Sequence, residues 1–202
     1  AGFSVYGNQT EVSLMLKERE SVFVVFRKSA DKTERGTPGR SVPVSEMEVT
    51  GPWKITFPPS LGAPESIILD TLLPLNLHSD DGVKYFSGSA VYTSQFQITR
   101  SFLKSGSEFV IDLGPVGDIA ELSVNGSPPV TLWKPPYSSD VTGLLRNGTN
   151  TIEVKVTNQW TNRLSGDMKL PQDQKVLRSP LFVRPGRLSD SGLTGPVRII
   201  KF

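Results

Sequence analysis

Two runs of alternating apolar residues, one leading into an Asn-Gly pair and one following another, constrain this chain more than any other feature. Ile119, Leu122 and Val124 lead into Asn125-Gly126, and Ile152, Val154 and Val156 follow Asn147-Gly148. A period of two places apolar side chains on one face of a strand, and Asn-Gly supplies the positive φ angles that tight hairpin turns need. Between the runs lies Trp133-Lys134-Pro135-Pro136-Tyr137, too aromatic for an ordinary solvated loop. Strand, turn, aromatic loop, turn and strand is how a β-sandwich presents a loop surface.

The rest of the chain extends this pattern. Val12, Leu14 and Leu16 alternate with polar residues, and Val22 to Phe26 is a continuous apolar run, as expected for a strand covered on both faces. Lys17 to Glu20 is a candidate turn between them. This strand pair, within residues 1–27, either joins the main sandwich or ends a preceding domain. Residues 28–44 are charged, rich in glycine and proline, and read as a linker. The main domain spans 45–202, with strands predicted at Val49–Phe57, Ala90–Ile98, Phe109–Leu113 and Val197–Ile200. Residues 58–84 predict loops with one short helix around 69–73, and 168–190 reads as irregular. Such spacing predicts an all-β fold, an antiparallel β-sandwich or jelly roll.

Composition narrows the options. At 202 residues the chain is long enough to bury a core without staples. It has no cysteine, which excludes disulfides, thiolate catalysis and cysteine-bound zinc but not export. A net charge of +2 from scattered basic residues argues against nucleic acid. No apolar run approaches the roughly 20 residues of a membrane span. His78 is the single histidine, which leaves no histidine-rich metal site and no obvious triad partner. Ala1-Gly2 directly before a β-like sequence reads as the edge of a fragment of a longer enzyme.

The quoted elements, together with ESVFVVFR at 20–27, YFSGSAVYTSQF at 85–96, NQWTNRLSGD at 158–167 and SGLTGPVRI at 191–199, carry a resemblance. The pattern resembles the sugar-binding β-sandwich of large bacterial glycoside hydrolases: the C-terminal region of family 106 α-L-rhamnosidases and, more loosely, the sugar-binding domain of family 2. That resemblance implies a galactose-binding-domain-like jelly roll in a secreted or periplasmic bacterial protein. It also implies catalysis in a separate barrel domain, and an SVFVVFR strand that closes a preceding domain. Rhamnose-containing pectin is the substrate it suggests for the parent enzyme.

The aromatic loops are the main binding candidates. Sugar rings pack their C–H faces on indole and phenol rings, and their hydroxyls need fixed polar partners. Trp133, Tyr137 and Trp160 offer faces; Asn158, Asn162, Arg163 and Asp167 offer hydrogen bonds, Arg163 as a planar fork. The structural alternative is a buried tryptophan with its N–H tied to backbone, and an internal Arg163–Asp167 ion pair pinning the loop. Trp53, Tyr85, Phe86 and Tyr92 read as core or sheet-face residues.

Glycoside hydrolysis usually needs two carboxylates about 5–9 Å apart. Asp80, Asp81, Asp112, Glu121, Asp140, Glu153 and Asp167 form no such constellation in sequence. Glu121 and Glu153 read as a solvated sheet face, and Asp80-Asp81 before Gly82 as a turn. A structural calcium held by Asp80, Asp81 and Asp118 is a further expectation, since calcium takes carboxylate oxygens from flexible loops. Asn8-Gln9-Thr10 and Asn147-Gly148-Thr149 match the N-glycosylation pattern and carry no assigned role. The expected function is a non-catalytic accessory domain of a glycoside hydrolase that binds glycan or packs on the catalytic domain of the same polypeptide. A purely structural domain and a small autonomous hydrolase or lyase are the alternatives.

Overall fold

The computed structural model describes residues 2–14, 16, 20–28, 42–104, 106–177 and 187–202. The elements in sequence order are β1 (Phe3–Tyr6), β2 (Gln9–Val12), β3 (Ser45–Glu48), β4 (Trp53–Thr56) and β5 (Ser66–Leu69). A 3-10 turn (Leu75–Leu77) and the short helix α1 (Asp81–Lys84) follow. Then come β6 (Gly88–Ile98), β7 (Phe109–Asp112), β8 (Ile119–Val124), β9 (Val130–Leu132), β10 (Ser138–Asp140), β11 (Gly148–Asn158), α2 (Thr161–Asp167) and β12 (Arg198–Lys201). No helix among the described residues is long and apolar enough to cross a membrane.

Two antiparallel sheets build the sandwich. One has the order β5-β4-β6-β11-β8-β9, the other β10-β7-β12-β3, and β1 and β2 form a separate hairpin. The centre of the larger sheet is the pair β6 and β11, in register from Gly88↔Asn158 to Ile98↔Gly148. Alternation decides what each strand buries. Ala90, Tyr92, Phe96 and Ile98 on β6 meet Ile152, Val154 and Val156 on β11 and Ala120, Leu122 and Val124 on β8. One inner row runs Ile55–Tyr92–Val154–Leu122 across four strands. Phe109 and Ile111 of β7 and Ile199 of β12 close the same core from the smaller sheet. Trp53, Tyr85, Phe86 and Tyr92 are buried, as their neighbours in sequence predict.

The inward row of β11 begins and ends with asparagine. Asn150 accepts from the Arg146 backbone N–H at 2.9 Å and donates to the Arg146 and Gly148 carbonyls at 2.7 and 3.0 Å. Asn158 accepts from the Gly192 N–H at 2.6 Å and donates to the Gly88 carbonyl at 3.4 Å. Both amides are buried and satisfied, as burial demands.

The Asn125-Gly126 turn joins β8 to β9, with φ of 53° and 78° and a Ser127 N–H to Val124 carbonyl bond of 3.0 Å. Asn147-Gly148 behaves differently. It closes no hairpin, because β10 belongs to the other sheet; Gly148, at φ 89°, simply opens β11.

Three other expectations are corrected. Val22 to Phe26 forms no strand and is exposed, Phe23 at 93%. Its composition suits a strand covered on both faces, and neither cover lies among the described residues. The N-terminal hairpin turns at Gly7-Asn8 instead, pairing Phe3 with Val12; of the turn expected at 17–20, residues 17–19 lie outside the described residues. The helix expected at 69–73 lies later. Leu69 ends β5, and helical turns form at 75–77 and 81–84, where the Asp80 carboxylate caps the Val83 N–H at 3.1 Å. Most of the 28–44 linker also lies outside the described residues.

Candidate functional site

A cleft of about 540 Å³ opens at the β8–β9 end of the larger sheet. Three segments converge on it: Asp118-Ile119 entering β8, the loop after β9 with Trp133, Lys134, Pro135 and Tyr137, and Thr157 to Gln159 leaving β11. Trp133 is 68% exposed, so its indole presents a face to solvent. The walls are cross-linked. The Tyr137 hydroxyl donates to the Asp118 carbonyl at 2.8 Å. The Asp118 carboxylate accepts from the Gln159 backbone N–H at 2.9 Å and from its terminal amide at 2.6 Å. Each carboxylate oxygen has a second lone pair, so Asp118 keeps acceptor capacity toward the cleft. It is the one carboxylate among the residues lining this cleft.

The seven predicted binding residues do not form one site. Trp133, Tyr137 and Asn158 line the cleft, and the Asn158 amide is consumed by the bonds already described. Trp160 stands beside it in sequence, 43% exposed at the start of α2, but is not among the lining residues. Asn162, Arg163 and Asp167 are buried on α2. Asn162 exchanges two hydrogen bonds with the Ser189 backbone, at 2.7 and 3.0 Å. Asp167 accepts from the Val176 and Leu177 N–H groups at 3.2 and 2.7 Å. Arg163 pairs with Asp167, which is the internal ion pair of the structural alternative. These three residues tie 176–177 and 189–191 down to the helix.

Sequence reasoning missed a second cleft, of about 290 Å³, lined by Gly62, Asp81, Tyr85, Arg163 and Lys169 among others. Three cations ring Tyr85, with Lys169 at 5.0 Å, Lys84 at 5.6 Å and Arg163 at 5.9 Å from its centroid. The Lys169 ammonium donates to the Tyr85 hydroxyl at 2.7 Å, and this bond, followed by attraction to Tyr85, raises the lysine pKa.

Asp80, Asp81 and Asp118 are not brought together. Asp80 caps α1, Asp81 lines the second cleft, and Asp118 is held by Gln159 at the first. Among the described residues no group of three or more His, Asp or Glu could hold a metal ion. His78 accepts from the Asp80 backbone N–H at 3.1 Å, a local turn contact. Glu121 pairs with Lys155 at 2.9 Å on the outer sheet face, and Glu153 is exposed there.

No family model matches the chain. Similarity to individual proteins is extensive. The "Putative beta-glucuronidase" of Formosa agariphila is 44% identical over 185 residues, covering 79% of this chain. A solved rhamnosidase from Novosphingobium sp. PP1Y is 41% identical, covers 100% of this chain and superposes with a TM-score of 0.86. The β-D-glucuronidase of Dictyoglomus thermophilum, at 17% identity, 81% coverage of this chain and a TM-score of 0.55, shares the fold. The chain spans only 16% of the Formosa protein, 19% of the rhamnosidase and 29% of the Dictyoglomus enzyme. It is therefore similar, across most of its length, to a β-sandwich region of much larger glycoside hydrolases.

Proposed function

We propose that this chain is a non-catalytic accessory domain of a secreted or periplasmic glycoside hydrolase, and that it binds glycan in the Trp133 cleft beside a catalytic domain of the same polypeptide. The observation that carries the reading is Trp133 itself: an indole 68% exposed over a concave surface whose walls are locked by hydrogen bonds. A sugar ring stacks on the indole, and Asp118, Gln159 and Lys134 take its hydroxyls. The single carboxylate in the cleft supports binding over hydrolysis, which generally uses two. One stacked ring with a few hydrogen bonds fits millimolar affinity, about −4 kcal/mol. A glycan array carrying rhamnogalacturonan and glucuronate oligosaccharides, run with calcium and with chelator, tests this. Binding that disappears in Trp133→Ala supports the reading; a silent array together with no NMR shift in the folded protein at millimolar oligosaccharide defeats it.

A second observation favours a packing role alongside binding. Val24 to Lys28 and the β1–β2 hairpin border a groove of about 800 Å³, and Val22 to Phe26 are all exposed. So much apolar surface in one segment marks a contact surface. Its occupant is the neighbouring domain of the parent enzyme. Phe23→Asp, made in the full parent protein, is expected to lower that protein's thermal stability while leaving this chain's own stability unchanged; no difference in the parent would remove the packing role.

A further inference from the structure

The two Asn-Gly pairs of this protein are chemically alike and structurally opposite. At Asn125 the carboxamide is fixed on both sides. Its nitrogen donates to the Leu144 carbonyl and to the Asn150 Oδ1, each at 2.8 Å, and its oxygen accepts from the Thr151 N–H at 2.9 Å. Asn147 is exposed, and its carboxamide makes no hydrogen bond with any described residue. Nothing lies within 4 Å of where a Cβ on Gly148 or on Gly126 would sit, so neither linkage is crowded and the carboxamide bonds are what set the two asparagines apart.

We infer that Asn147 is a site of spontaneous deamidation, with water as the reagent and an isoaspartyl carboxyl methyltransferase as the enzyme class that would recognise the product. The Gly148 backbone nitrogen loses its proton to base and attacks the Asn147 Cγ. A new bond from that nitrogen to Cγ closes a five-membered succinimide, the Cγ–Nδ2 bond breaks, and ammonia leaves with the proton it needs. Water then opens the ring at either carbonyl, to aspartate or to isoaspartate. Each event lowers the formal net charge of +2 by one. The isoaspartyl form also adds a methylene to the backbone beside Gly148, which pairs with Ile98 in the first register step of β11 on β6. Asn125 is protected, because three hydrogen bonds must open before its carboxamide can turn; at their usual net strength that slows it on the order of a hundredfold.

Prolonged incubation of the protein in mildly alkaline buffer, with peptide mass spectrometry and methyltransferase labelling, tests this. The expected result is conversion at Asn147, an intact Asn125 peptide, methyl acceptance that vanishes in Asn147→Gln, and convergence of the two rates in urea. Equal rates in the folded protein, faster loss at Asn125, or a rate difference that survives urea would overturn it.

Discussion

The Arg163 guanidinium and the Asp167 carboxylate lie 3.0 Å apart, one turn along α2, with side chains 4% and 5% exposed. The carboxylate is also the acceptor for two backbone N–H groups, whereas the buried Nε of Arg163 has no hydrogen-bond partner among the described residues. Burying both charges is costly, so the pair adds little over an apolar replacement, but removing one partner strands the other.

Asp167→Ala is therefore expected to lose about 3–5 kcal/mol of stability by urea unfolding, since it leaves a buried cation and two orphaned N–H groups. The double replacement Arg163→Met with Asp167→Leu should cost less than Asp167→Ala alone. Equal or additive losses would show that the pair is not coupled.

Asn158→Ala should cost about 1–3 kcal/mol, because the Gly192 N–H loses its acceptor in a buried setting. Replacement of Gly117 by alanine tests the same contact from the other side, since its Cβ would collide with the Asn158 Oδ1. Unfolding midpoints of the two variants should both fall.

The tryptophans separate by role. Trp53→Ala empties a core position that is 1% exposed and should cost about 3–5 kcal/mol. Trp133→Ala should change stability by no more than about 0.5 kcal/mol, as expected for a surface residue. It should also remove a large share of the fluorescence that iodide quenches, leaving Trp53 and the half-exposed Trp160.

Burial pushes the Tyr92 phenol pKa up, with the Leu193 backbone pulling it slightly back. The folded state thus holds this proton more tightly than the unfolded protein, whose phenols titrate near pH 10. Stability is unaffected on this account below about pH 10, and falls as pH rises from there through the higher folded value. Alkaline unfolding followed by tyrosinate absorbance should show Tyr92 ionising only as the fold opens, and Tyr92→Phe should flatten the decline.

The long strands were legible because their inner faces are apolar and their outer faces are not: β6, β8 and β11 carry that alternation over six to eleven residues. Helix α2 was not legible. Five of its seven residues are buried, and Asn162, Arg163, Ser165 and Asp167 are polar, so no apolar stripe announces it. At the candidate site, the loop containing Trp133 was readable from its aromatic density. That Arg163 and Asp167 pair internally was one of the two readings the residues allowed; that Asn162 also faces inward was not readable, because its partner Ser189 lies 27 residues away. Val22 to Phe26 shows the converse: its apolar run reads as a covered strand, and among the described residues it forms none and is exposed.

The asparagines at the two ends of β11's inward row limit which alignments the strand can take. A slip of one residue would turn valines outward, which burial already forbids. A slip of two would keep every apolar residue inside, and patterning alone would tolerate it. It would, however, carry Asn158 from its place opposite Gly88 to the level of Ala90 on β6, stripping its amide of its partners at Gly88 and Gly192, and carry Asn150 from Phe96 to the level of Ile98, away from the Asn125 carboxamide. The pair works as two stops on a ruler: apolar residues choose the face, and the amides choose the notch.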